Sequence, residues 1–371
     1  MRSLFALLLL VGCYAAVTPA GKPCPDDICP GGQVCSPATK TCEYEAVPAD
    51  AAQPDAAPEA QPAPRYQRRI AIYNGAATAL PVGFTIRVPM PAMLAGMVQD
   101  RKVKADLSDL QVIGEGTIGE RDRIADSGVG YPPAAVSFAL QAPIPPGTIN
   151  TDYWLHYGGA SAAPALAKGT AVFPLYDDFA TGISSIWQRN DGPTVVGGKL
   201  VLRAGHSDAL TTTAAGDGLP TVSALEIIAR VADPTSGPTV QTNGESFYYW
   251  FGFQHTGDFT PTEPWALWIA RNKGEIGAEQ KSPVGCETPC QGPVAPQSTF
   301  AHYYVIERDP TMTRFYRDGV LAYTAAVTNQ TDYAVMVRNY LATSDVEIGW
   351  IRARARVSPD PTVTLAKEEA Y

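Results

Sequence analysis

Charged side chains make up only 18% of this 371-residue chain, against about 25% in ordinary globular domains. That scarcity, beside 33 Gly and 33 Pro, excludes long helical bundles and coiled coils. There is no excess of positive charge: 28 basic against 37 acidic side chains leave a net charge of −9, which disfavours attraction to nucleic-acid phosphates. Histidine numbers four, and His156, His206, His255 and His302 are far apart in the sequence. HExxH, a P-loop and G-x-G-x-x-G before a helix are all missing. No stretch beyond the N-terminus is apolar for ~18 residues, so no transmembrane helix is expected.

What is present reads as β-structure. Seventeen Tyr, eleven Phe and six Trp fit pleated, half-buried surfaces separated by turns. Residues 4–11 form a short apolar run after Arg2, suited to export. The run ends Leu10-Val11-Gly12-Cys13, which resembles a bacterial lipobox. The resemblance implies a signal peptide over 1–12 and a mature N-terminus at Cys13 carrying acyl chains, each buried methylene contributing ~0.8 kcal/mol to membrane anchoring. Tyr14 in place of a retention Asp points to the outer membrane, its face left open. The competing expectation is an ordinary signal cut near Ala16 or Ala20.

Residues 13–42 gather Cys24, Cys29, Cys35 and Cys42 among Gly and Pro. With Cys286 and Cys290 they make an even set once Cys13 is lipidated, as expected of disulfides in an oxidising compartment. A zinc site is disfavoured because no C-x₂-C pair occurs. The segment is similar to Cys-rich stretches of lipoproteins from Gram-negative soil bacteria such as myxobacteria. Residues 43–64 are Ala, Pro and acid with almost nothing apolar to bury. They read as a disordered tether reaching at most roughly 70 Å at about 3.1 Å per residue.

In 65–168, Val82, Phe84, Ile86 and Val88 alternate with Gly83, Thr85 and Arg87, a period-2 strand. Met93, Leu94, Met97 and Val98 have helical spacing behind Pro91. Asp106 and Asp109 are expected to accept nearby backbone amides in a turn. Arg69-Ile70-Ala71-Ile72, the run 104–112, 143–147 and Tyr153-Trp154-Leu155-His156-Tyr157-Gly158 resemble a bacterial domain of unknown function that stands before a laminin-G-like or concanavalin-A-like sandwich. That family brings no catalytic residue with it.

Residues 169–371 continue the resemblance. Tyr176-Asp177-Asp178-Phe179, Gly197-Gly198 and the Asp318-Gly319 turn are similar to the concanavalin-A-like sandwich. The expected fold is therefore all-β, two β-sandwiches in tandem, the second a jelly roll. In 246–255 both parities are aromatic, so one face fills the core and the other is covered or lines a groove. Trp250, Gln254, Trp268, Arg271 and Asn272 are the candidate glycan contacts, since rings stack on sugar C–H faces while polar groups meet hydroxyls. The alternative is that these rings are packing. Arg352, Arg354 and Arg356 form a cationic row that protects a strand edge or meets an acidic glycan. Asp177, Asp178 and Asp345 are candidates for a structural Ca²⁺. Cys286 and Cys290 fall in a Gly- and Pro-rich loop over 274–296 that a local disulfide would stiffen.

The carboxylate motif E-x-D-x-x-E of glycosidases with this fold is missing, and the run 205–209 lacks the second Gly of a nucleophile elbow. The sequence leads to the expectation of a lipid-anchored, non-catalytic protein that binds carbohydrate or another surface component. A structural envelope lipoprotein working through protein contacts is the alternative, and a glycoside hydrolase the third reading.

Overall fold

The computed structural model describes residues 33–35, 42–44, 66–127, 132–158, 167–211, 223–231, 249–255, 264–272, 275–282, 286–296, 300–328, 333–340 and 344–370. Cys13, Cys24, Cys29 and the sequence 45–65 lie outside them. The chain divides into two units, Met1–Ala60 and Gln61–Tyr371. In the first, Gln33–Cys35 pairs antiparallel with Cys42–Tyr44, with Cys35 and Cys42 directly opposite.

The second unit begins with a small β-sandwich. One sheet holds the strand Tyr66–Tyr73 beside Ile149–Tyr157, and the other is three-stranded, with Ala135–Ala139 between Thr85–Pro89 and Arg123–Asp126. The expected alternation buries Phe84, Ile86 and Val88 at 3% exposure or less, but Val82 is 59% exposed. Its parity fails because Gly83, at φ 82°, turns the chain just before the strand starts. The helix Pro91–Gln99 forms with Pro at its first turn and tucks Leu94 and Met97 into the same core. Asp106 and Asp109 accept the amides of Ser108 and Lys104, both at 3.0 Å, as the turn chemistry requires.

The larger sandwich packs an eight-stranded sheet on a seven-stranded one. The seven strands run, in spatial order, Trp187–Asn190, His206–Thr211, Tyr333–Tyr340, Tyr249–His255, Trp265–Asn272, Glu275–Ser282 and Cys286–Pro296. Tyr249, Phe251, Phe253, Trp268 and Val337 point between the sheets and meet Tyr304, Ile306, Phe315 and Ile351 from the other sheet. Each such side chain contributes roughly 1.5–3 kcal/mol of burial. The Asp318-Gly319 turn has both residues at positive φ, 51° and 74°, the conformation a two-residue hairpin demands.

Two expectations change here. Within 274–296, Glu275–Ser282 and Cys286–Pro296 are not loop but strands that extend the seven-stranded sheet, the second being its last strand. Prolines hid this, yet they are tolerated where no neighbour needs their N–H. Arg352 and Arg354 lie on Val346–Ala355 and Arg356 just past its end; Arg352 is interior to its sheet, opposite Tyr176 on one side and Glu226 on the other. Arg352 therefore protects no edge.

Instead Arg352 fastens the two sandwiches together. Arg352 is 1% exposed and donates to Asp126 of the small sandwich at 3.0 and 2.8 Å, and to Glu226 at 2.8 Å. Arg87 of the small sandwich reaches Glu226 at 3.2 Å. Burial alone would push the Glu226 carboxyl up, but the charges of Arg352, Arg87 and Arg354 outweigh it and hold it far below the usual carboxylate range. The chain end does not stay with the large sandwich either. Thr362–Leu365 and Glu369–Ala370 pair with Tyr66–Tyr73, and Val363 and Leu365 pack on the small sandwich's core. The small sandwich thus extends beyond 65–168 to take in the C-terminal strands.

Candidate functional site

The seven-stranded sheet has a second face, turned away from the core, and the strand parity fixes what it carries. Along Tyr249–His255 the residues opposite in parity to Tyr249, Phe251 and Phe253 are Trp250, Gly252 and Gln254. Register then sets Arg338 and Ile269 beside Trp250, and Ala334 and Trp265 beside Gln254. Leu210, Trp250, Leu267, Ile269, Ala334 and Met336 form a small apolar cluster on this face, with Trp265 and Tyr340 partly buried against it.

Polar groups lie among these rings. The Arg338 guanidinium sits 4.9 Å from the Trp250 ring and 4.7 Å from the Tyr340 ring, and meets Asp208 at 3.0 Å. Glu279 accepts from Trp265 Nε1 at 3.3 Å and from Gln291 Nε2 at 3.5 Å, while Lys281 Nζ lies 5.1 Å over the Trp265 ring. Asp208, Gln254 and Glu279 are buried, whereas Trp265 and Tyr340 keep part of their surface. Burying charge on a sheet face costs free energy unless it is paired, so the Asp208–Arg338 pair is a structural requirement of this face.

Of the expected glycan contacts, Trp250 and Gln254 share this face. Trp268 does not: it is 1% exposed and packs edge-on against Tyr304 and Phe315 at 5.2 and 5.8 Å. Three residues separate it from Trp265, so the two rings have opposite parity, and Trp265 takes the outer position. Arg271 and Asn272 end the same strand, but their side chains lie outside the described residues. Arg338, Tyr340, Asp208 and Glu279 escaped the sequence reading, although the alternation of Val335 and Val337 with Met336 and Arg338 was a usable signal.

The three aspartates considered for calcium do not converge. Asp177 accepts from the Phe179 amide, Ser184 Oγ and Trp187 Nε1, each at 2.8 Å. Asp178 accepts the Ala180 amide at 3.1 Å. Asp345 pairs with Arg203 at 2.8 Å. Asp177 lies opposite Ile351, six residues along the strand from Asp345, or about 20 Å at ~3.3 Å per residue. The described residues contain no group of three His, Cys, Asp or Glu arranged for a metal. Ser207 lies within the strand His206–Thr211 and so forms no nucleophile elbow. Cys290 is disulfide-bonded and sits opposite Gln280; the side chain of Cys286 is outside the described residues.

No protein-family model matches the chain, and no curated protein matches it. Among solved structures it is similar to the laminarinase from Rhodothermus marinus, at 13% identity and a TM-score of 0.38 over 49% of this chain and 96% of that one. It is also similar to the endo-β-1,3-glucanase from Pyrococcus furiosus, at 10% identity and a TM-score of 0.36 over 50% and 94%. The carbohydrate recognition domain of Emp47p is similar at 12% identity and a TM-score of 0.36 over 49% and 95%. These are likenesses of fold only, between all-β sandwiches. They correct one expectation: glucan hydrolases are prominent among the similar structures, so the reading of this chain as a non-enzyme is withdrawn.

Proposed function

We propose that the large sandwich is a carbohydrate-binding or glycan-active module that meets its ligand on the outer face of the seven-stranded sheet. One observation carries this reading. The partly exposed rings of Trp265 and Tyr340 stand toward opposite ends of a row of polar side chains, Glu279, Gln254, Arg338 and Asp208, on the face that the core does not use. Aromatic surface for sugar C–H groups, flanked by donors and acceptors for hydroxyls, is the chemistry of carbohydrate recognition. We further propose that acyl chains on Cys13 hold the protein at the outer membrane, a reading supported by the sequence of residues 4–13.

The test is a glycan array probed with the full chain, followed by Trp265→Ala and Tyr340→Ala. Each variant is expected to lose at least about tenfold in affinity, since a buried aromatic contact contributes on the order of 1.4 kcal/mol or more, with thermal stability little changed. Unaltered binding by both variants overturns the site. Reducing-sugar release from the bound polysaccharide, measured on the same samples, reports turnover.

A further inference from the structure

The strand that receives the chain's N-terminal segment, Tyr66–Tyr73, is held between Ile149–Tyr157 on one side and the C-terminal strands on the other. The C-terminal strands are in turn the direct continuation of Val346–Ala355, an interior strand of the large sandwich. The register sets the geometry of this connection. Tyr66 lies opposite Ala370, at the far end of the pairing, whereas Tyr73 lies opposite Thr362, where the chain arrives from the large sandwich.

We propose that this pairing is a tension-bearing clamp between the N-terminal segment and the large sandwich. A pull entering at Tyr66 and resisted by the large sandwich draws the two antiparallel strands past each other, each from its own N-terminal end. Their hydrogen bonds lie across the strands, so such a load strains the whole set at once instead of one after another. Side chains reinforce the far end. Glu368 accepts from Lys102 Nζ at 2.5 Å and from Tyr157 OH at 2.7 Å. Arg68 NH1 donates to the Ala366 carbonyl at 3.1 Å, and the Ala366 amide donates to the Arg69 carbonyl at 2.9 Å. Val363 and Leu365 add an apolar hold on the small sandwich. Farther along, the Arg352–Asp126 pair ties the two sandwiches directly. Force then passes from Tyr66–Tyr73 through Thr362–Leu365 into the large sandwich without threading the chain between 74 and 168.

The clamp itself does not depend on membrane anchoring; only its use in the cell rests on the lipid at Cys13. Single-molecule pulling of the full chain tests it in two geometries. In the first, handles sit at the N-terminus and at an azido-amino acid replacing Val196, which is 53% exposed on the large sandwich. In the second they sit at the N-terminus and at Tyr371, which peels Ala370 from Tyr66 first and opens the pairing bond by bond. The first geometry is expected to rupture at a several-fold higher force at matched loading rate, since forced opening reports the unfolding barrier. Glu368→Gln is expected to lower that force, and ending the chain after Pro361 to remove the difference. Equal rupture forces in the two geometries of the unmodified chain overturn the clamp, whatever the variants do. Absence of fatty-acid label on Cys13 overturns the anchor and leaves the clamp standing.

Discussion

Arg352 holds Asp126 with both terminal nitrogens, at 3.0 and 2.8 Å, across 226 residues of chain. This fork joins the outer face of one sandwich's sheet to the last residue of a strand in the other, and Glu226 completes it at 2.8 Å. Replacing Arg352→Met leaves two buried carboxylates without their main partner, which costs about 3–5 kcal/mol. Urea unfolding followed by tryptophan fluorescence should show that loss. A change of under about 1 kcal/mol, the scale of a surface pair, contradicts the role given to the fork.

The same network sets an acid dependence. The Glu226 carboxyl lies below its ordinary value of 4.5 in the folded chain, so the folded state binds its proton less readily than the unfolded one. Its stabilisation is whole above the ordinary value and is lost as pH falls through the depressed one. Wild type should exceed Glu226→Gln in stability by a constant margin above about pH 6, and the margin should shrink progressively below about pH 4.5. A margin independent of pH in chemical unfolding curves refutes this.

Trp265 and Trp268 sit three residues apart and should respond in opposite ways. Trp268→Ala empties a site in the core and should cost about 3–5 kcal/mol. Trp265→Ala removes a partly buried ring at the rim of a small cluster and should cost far less, about 1 kcal/mol. Calorimetry of the two variants checks the parity assignment.

Gly252 combines a strained backbone with a close backbone neighbour, so its replacement should be costly. Its φ is +150°, and an added Cβ would come within 2.3 Å of the Ala266 carbonyl oxygen. Gly252→Ala should destabilise by at least about 1–3 kcal/mol, because the neighbouring strand must move. A melting temperature equal to wild type would show that the two strands are not so closely apposed.

Cys13 should carry the lipid. Growth with radiolabelled fatty acid should label the wild-type protein and leave Cys13→Ser unlabelled, and label on the serine variant disproves the assignment.

The all-β architecture was legible because strands advertise themselves locally. Phe84, Ile86 and Val88 alternate, as do Tyr249, Phe251 and Phe253, and Asp318-Gly319 marks its hairpin. What stayed hidden depends on neighbours distant in sequence. Arg352 reads as one of a solvated row until Asp126 is brought against it. The strand Thr362–Leu365 looks like a tail until Tyr66–Tyr73 supplies its partner. Parity alone puts Trp250 and Gln254 on one face, while Arg338 and Tyr340 join that face only through register. Proline-rich 286–296 reads as a loop from composition, since nothing local says that a sheet ends there.

That last strand ends the seven-stranded sheet with Pro289, Pro293 and Pro296. Proline has no amide hydrogen to offer a newcomer, so this rim is a poor template for a neighbouring copy to dock on and extend. Molecules crowded side by side thus find few amide donors along this rim on which to build a shared sheet.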